Sequence, residues 1–247
     1  MDRMIYVAMS GAKYLLGQQA TIAHNLANLN TPGFRAEMSA FRAVPVIGDG
    51  APTRAFVLDS TIGSDFRPGV IQNTGRDLDV AVQGRGWIAV QASDGSEAYT
   101  RSGSFQIGAN GILQTLTGQP VLGDGGPISI PPDTTVTIAS DGTVSTIPTN
   151  APPTSVAIAG RIKLVNPPEA QLKRGADGLF RLPGGNTAQA DAAVKLAPEA
   201  LESSNVNAAE AMVAMIASAR AFDMQMKLLQ NAQDNSRAAA QLLSASK

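Results

Sequence analysis

The sequence predicts an α+β chain: long N- and C-terminal helices forming a discontinuous, coiled-coil-like core domain, and an antiparallel all-β middle domain. Three observations carry that prediction. All fifteen prolines fall between Pro32 and Pro198, and twenty-two of the twenty-four glycines between Gly33 and Gly185. Proline breaks helix interiors and glycine weakens them, so long helices are admitted only at the ends. Apolar residues recur there at a period near 3.5, whereas the middle alternates with a period of two between Asp-Gly and Asn-Gly turns.

The first helix carries Ile5, Ala8, Ala12, Leu15, Gln19, Ile22, Leu26 and Leu29 on one face, the a/d spacing of a coiled coil with one polar member. Pro32 ends it, because the residue before a proline is pushed out of the α region. Thr31-Pro32-Gly33-Phe34 suits a type II turn, with glycine supplying the positive φ. Residues 36–76 are weakly patterned and read as an extended connecting segment.

Residues 77–182 read as the β domain. Leu78, Val80 and Val82 alternate with Asp79 and Ala81, and Ile88-Ala89-Val90 follows Gly84-Arg85-Gly86-Trp87. Asp94-Gly95, Asn110-Gly111 and Asp141-Gly142 mark hairpin turns. Short strands at about ten-residue spacing indicate an antiparallel sandwich or barrel. Residues 183–200, rich in Gly, Ala and Pro, read as a return linker.

The last helix begins near Asn207, whose side chain can serve the first free amides, with Glu210 three residues on as in a capping box. Its seam includes Met212, Met215, Phe222, Met226 and Leu229. The terminal segments, 1–35 and 201–247, are thus expected to form the helical domain together. Two packings stay open: a two-helix hairpin within the chain, or burial of the stripes against other chains. The N-terminal seam has few large apolar members. Burying one is worth about 1.5–3 kcal/mol while each ordered residue costs about 1–2 kcal/mol, so one narrow stripe favours more than one partner face. The termini are therefore expected to be mobile in a monomer and ordered in an assembly.

Composition excludes several function classes. With Lys+Arg 19 and Asp+Glu 20 the charge is balanced, and only eleven aromatic side chains are present, so nothing marks a nucleic-acid surface. The chain has no cysteine, which excludes disulfides and thiolate sites. The N-terminus makes a poor secretory signal, since Ser10, Lys13, Gln18 and Gln19 follow a short apolar run. No stretch reaches the roughly 18 apolar residues of a membrane span, so membrane insertion is not expected. His24 is the only histidine and has no acidic neighbour at helical spacing. Asp77 and Asp79 share a strand face but read as edge solubilisers, and Ser102-Gly103-Ser104 lacks a base. No catalytic residue, metal, cofactor or small-molecule substrate is expected.

The segment Asn25-Leu26-Ala27-Asn28-Leu29-Asn30-Thr31-Pro32-Gly33-Phe34-Arg35 resembles the N-terminal signature of the bacterial flagellar rod and hook family. Two further segments resemble the family in the same order. One is Gln83 to Val90 with Tyr99-Thr100-Arg101-Ser102-Gly103-Ser104-Phe105, the other Leu201-Glu202-Ser203-Ser204-Asn205-Val206-Asn207. The opening residues, Phe34-Arg35-Ala36 and the tail from Ile216 to Lys227 look most like the family's proximal rod members, with distal rod or hook-type subunits as the alternative.

The resemblance implies a structural subunit of the basal-body rod, in the periplasmic part of the flagellar axis. It implies export by the flagellar type III apparatus without a cleaved signal, and assembly with copies of itself and neighbouring rod proteins. The terminal helices would line the tube, and Asn25, Leu26, Asn28, Thr31, Pro32, Gly33 and Phe34 would form a joint. Ser204, Asn205, Asn207 and Glu210 would open the second helix. A β-rich enzyme would need a clustered acid/base or metal site, and an adhesin a signal or anchor; the sequence presents neither.

Overall fold

The computed structural model describes residues 2–45, 55–150, 152 and 155–245. They divide into two compact units, a helical unit (Met1–Leu29, Ala36–Asp65, Val206–Lys247) and a β unit (Asn30–Arg35, Phe66–Asn205).

The helical unit is built from α1 (Asp2–Ala27), a ribbon of β1 (Glu37–Pro45) and β2 (Ala55–Ser64), and α2 (Ala208–Ala245). Both helices are free of proline, which lets α2 run 38 residues, about 57 Å. Ser218 Oγ donates to the Leu15 carbonyl (3.3 Å) and Gln225 Nε2 to the Ala8 carbonyl (3.0 Å). Seven residues forward on α2 match seven backward on α1, so the helices pair antiparallel. A Cβ on Gly11 would lie 2.8 Å from Gln225 Nε2, so its absence opens room for that bond. The β ribbon fills part of the weakly patterned 36–76 segment. It pairs antiparallel from Glu37 opposite Ser64 to Pro45 opposite Ala55, and the Asp65 amide closes its base on the Ala36 carbonyl (2.8 Å).

The β unit is antiparallel throughout. Its central sheet has five strands in the order Leu164–Val165, Trp87–Gln91, Glu97–Thr100, Phe180–Arg181, Lys173–Arg174. Around it the described residues form one three-stranded and four two-stranded sheets, so the regular strand spacing is realised as a patchwork of small sheets. Residues Trp87 to Val90 are all buried. Successive side chains of a strand point to opposite faces. Ile88 and Val90 accordingly join a core with Val80, Val82, Phe105, Leu113 and Leu196, while Trp87 and Ala89 join a second with Tyr99, Val165 and Phe180. Phe180 lies 4.7 Å from Trp87 between ring centroids, and Phe66 stands edge-on to Trp87 at 5.9 Å.

The segment before α2 completes this unit. Lys195–Pro198 pairs with Val80–Gln83 and buries Leu196, and Ala200–Glu202 pairs with Ile71–Asn73. Glu199 between them takes a left-handed φ of 55°, and its carbonyl accepts the Thr74 amide (2.7 Å).

Candidate functional site

The three family-like segments meet in the interior of the β unit. Asn30–Arg35 enters through a turn in which the Phe34 amide bonds the Thr31 carbonyl (3.2 Å) and Gly33 has φ 69°, the pattern of a type II turn. Glycine is required there twice over, since a Cβ would also lie 2.3 Å from the Arg101 carbonyl carbon. The Gly33 amide donates to the Glu202 carbonyl (2.7 Å) and the Asn205 amide to the Phe34 carbonyl (3.3 Å). Asn205 Nδ2 adds a bond to the Arg67 carbonyl (3.0 Å). Phe34 is buried under the Arg174 guanidinium, which stands 4.4 Å from its ring centroid. Arg174 Nη1 also donates to the Arg35 carbonyl (3.0 Å).

At the centre lies a sealed ion triad. Glu202 is 1 % exposed, with Arg35 Nη2 2.7 Å from Oε1 and Arg101 Nη1 3.1 Å from Oε2. The Gly69 amide also donates to Oε1 (2.8 Å). Arg101 is further held by the Val82 and Gly84 carbonyls and lies 5.5 Å from the Trp87 ring centroid. Arg35 is worse served. Its Nη2 approaches Glu202 off the line of a good hydrogen bond, and Nε and Nη1 meet no acceptor among the described residues. Burial pulls the Arg101 pKa down to about 10, against the attraction of Glu202 and with the repulsion of Arg35. Two cations share one carboxylate. Such a cluster adds little stability compared with an apolar core, but losing one member strands a buried charge at about 3–5 kcal/mol.

The remaining joint residues lie in the helical unit. Asn25 brackets Glu37, its Oδ1 accepting the Glu37 amide (2.8 Å) and its Nδ2 donating to the Glu37 carbonyl (2.9 Å). Asn28 Nδ2 bonds the His24 carbonyl (2.9 Å), and His24 Nδ1 lies 3.2 Å from Glu37 Oε2. Leu26 is half-buried, as is Pro32 in the β unit, while Thr31 is exposed. Asn207 Oδ1 accepts the Ala209 (3.0 Å) and Glu210 (3.3 Å) amides at the start of α2, and Ser204 is half-buried just before it. Asp79, by contrast, is committed within the β unit to Thr74, Arg76 and Ser104. Among the described residues no group of three or more acidic or histidine side chains could hold a metal ion.

Along α1 the seam residues Ala8, Ala12, Leu15, Gln19, Ile22 and Leu26 are buried or half-buried; the side chain of Ile5 lies outside the described residues. On α2 the sheltered stripe is Ala211, Met215, Ser218, Phe222, Gln225 and Leu229. It shares Met215, Phe222 and Leu229 with the apolar seam but is turned by one residue, leaving Met212 and Met226 outside. Ser218 and Gln225 replace apolar members because they donate to α1 carbonyls. A second, outward row remains exposed: Val213, Ile216, Met224 and Leu228 on α2, and Tyr6, Met9 and Leu16 on α1. No helix among the described residues is long and apolar enough to cross a membrane.

Three family models match this chain. "Flagella basal body rod protein" covers residues 5–35, "Flagellar hook protein FlgE/F/G D1 domain" residues 81–146, and "Flagellar basal body rod FlgEFG protein C-terminal" residues 197–242. The flagellar basal-body rod protein FlgF of Escherichia coli is 50 % identical, over 100 % of both chains. FlgF of Salmonella typhimurium is 48 % identical, again over 100 % of both, and the rod protein FlgG of Agrobacterium fabrum is 30 % identical over 94 % of this chain and 96 % of its own.

Proposed function

Since the chain belongs to the flagellar basal-body rod family and is most like FlgF, a structural rod subunit and not an enzyme, we propose that it joins its neighbours through the outward faces of α1 and α2. Those neighbours are copies of itself and other rod proteins, in the proximal, periplasmic part of the rod. The chain reaches them through the flagellar type III export apparatus, without a cleaved signal. Distal rod placement is the alternative.

One observation carries the docking face. The helix pair uses one stripe of each helix, yet Val213, Ile216, Met224 and Leu228 form a second apolar row that stays exposed among the described residues. Soluble surfaces seldom keep such a row without a partner. Burying each side chain contributes about 1.5–3 kcal/mol, and the four together match the roughly 4–15 kcal/mol lost in immobilising a subunit. Methionine adapts its shape, which suits contact with non-identical neighbours. The motif from Asn25 to Phe34 then serves as the joint leading from α1 into the β unit.

Introducing Ile216→Glu and Met224→Glu together tests this reading. The variant should be expressed with its β unit folded but be missing from isolated basal bodies. Normal incorporation refutes the face.

A further inference from the structure

We propose that Glu202 is a positioning residue that makes docking of the N-terminal joint conditional: Asn30–Arg35 can seat on the β unit only after Ala200–Glu202 has. The charge count of the sealed triad requires this order. Arg101 belongs to the β core irrespective of the terminal segments, tied to the Val82 and Gly84 carbonyls. Glu202 docking on it alone gives a neutral pair. It also gains the Gly69 amide and the backbone pairing of Ala200–Glu202 with Ile71–Asn73. Arg35 has no comparable independent seat. Among the described residues the one carboxylate paired with its guanidinium is Glu202, and its side chain is 0 % exposed. Docking it first would set two cations against each other with only the weaker attraction of Glu169 for Arg101 to offset the repulsion.

The order of docking is therefore the reverse of the order in the sequence. The segment following α1 stays undocked until the segment leading into α2 has arrived, so an incomplete chain keeps its N-terminal joint open. The Gly33 amide, bonded to the Glu202 carbonyl, reports the second step, and the Ser203 amide, bonded to the Val70 carbonyl (2.9 Å), reports the first.

Native-state hydrogen exchange on the full chain tests the device. In the unaltered protein Ser203 should be at least tenfold better protected than Gly33, because the N-terminal segment opens without the C-terminal one. Glu202→Gln should lower Gly33 protection a further tenfold or more. Adding Arg35→Met to that variant should restore it to within about threefold, since removing the stranded cation removes the repulsion. Equal protection of Ser203 and Gly33, or a double variant as loose as Glu202→Gln alone, overturns the proposal. Should Glu202→Gln fail to fold, the comparison within the unaltered chain and the double variant still decide it.

Discussion

Gly33 lies against the backbone of Arg101 so closely that a Cβ would fall 2.3 Å from the Arg101 carbonyl carbon and 2.4 Å from its oxygen. This contact seats the Thr31–Phe34 turn on the strand end that presents the Arg101 guanidinium. Gly33→Ala has no easy escape. Its φ of 69° costs an L-residue about 1–2 kcal/mol. The obstructing atoms are backbone and cannot rotate aside. The variant should lose at least about 2 kcal/mol, read as a lower denaturation midpoint by Trp87 fluorescence. An unchanged midpoint together with unchanged exchange at Phe34 would contradict the close contact.

Asn25 acts as a one-residue strand, meeting both the amide and the carbonyl of Glu37. Asn25→Ala leaves both groups without that partner and should cost about 1–3 kcal/mol locally. Asn25→Asp keeps the acceptor but replaces the donor with a second oxygen facing the Glu37 carbonyl, so it should be no better than alanine. Exchange of the Glu37 amide measures both. If aspartate proves as good as asparagine, the Nδ2 bond contributes nothing.

What the sequence discloses follows from what sequence periodicity encodes. On α1 the 3.5-residue stripe is legible in the sequence, and its positions from Ala8 to Leu26 are all buried or half-buried, although half-buried positions such as Tyr14 and Gln18 lie beside it. The stripe of α2 is offset by one residue because Ser218 and Gln225 enter the interface through hydrogen bonds, which apolar counting does not register. Trp87 to Val90 loses its alternation because both faces of that strand are buried. The Lys195–Pro198 strand hides in a stretch rich in Gly, Ala and Pro, because its core contact rests on Leu196 with Val194 just before it. The triad leaves no pattern at all. Arg35, Arg101 and Glu202 each lie in a family-like segment, but ion pairing across 101 residues has no periodic signature. The segments could be found from sequence; the charge at their meeting point could not.

Acid should loosen the β turns before neutral pH does anything to them. Asp141 is held below its usual 3.8 chiefly by bonds from the Thr143 amide and hydroxyl, and Asp177 chiefly by its bond with Arg181. A carboxyl whose folded pKa is depressed contributes stability that is fully present above the unfolded value. That contribution is lost as pH falls below 3.8 and through the lower folded value. Asp141→Asn should therefore be less stable than the parent at pH 6 and approach it at low pH. Parallel urea midpoints at all pH values would exclude the Asp141 turn from the acid response.

Order in the terminal helices should depend on assembly. Among the described residues of α1 and α2 only Ala12 and Ser218 are buried, and both are small. Ordering each residue costs about 1–2 kcal/mol, so a pair of helices sheltering so little apolar surface is marginal alone. Amides of residues 5–29 should exchange rapidly in dilute monomer while those of Ile88 and Val90 remain protected. In assembled rods both sets should be slow. Phe222 lies on the sheltered stripe between Ser218 and Gln225, so Phe222→Asp should split the helix pair, prevent incorporation and leave exchange at Ile88 and Val90 unchanged. Strong protection of residues 5–29 in the monomer would mean that the intramolecular pair suffices, and normal incorporation of Phe222→Asp would remove the helix pair from the assembly pathway.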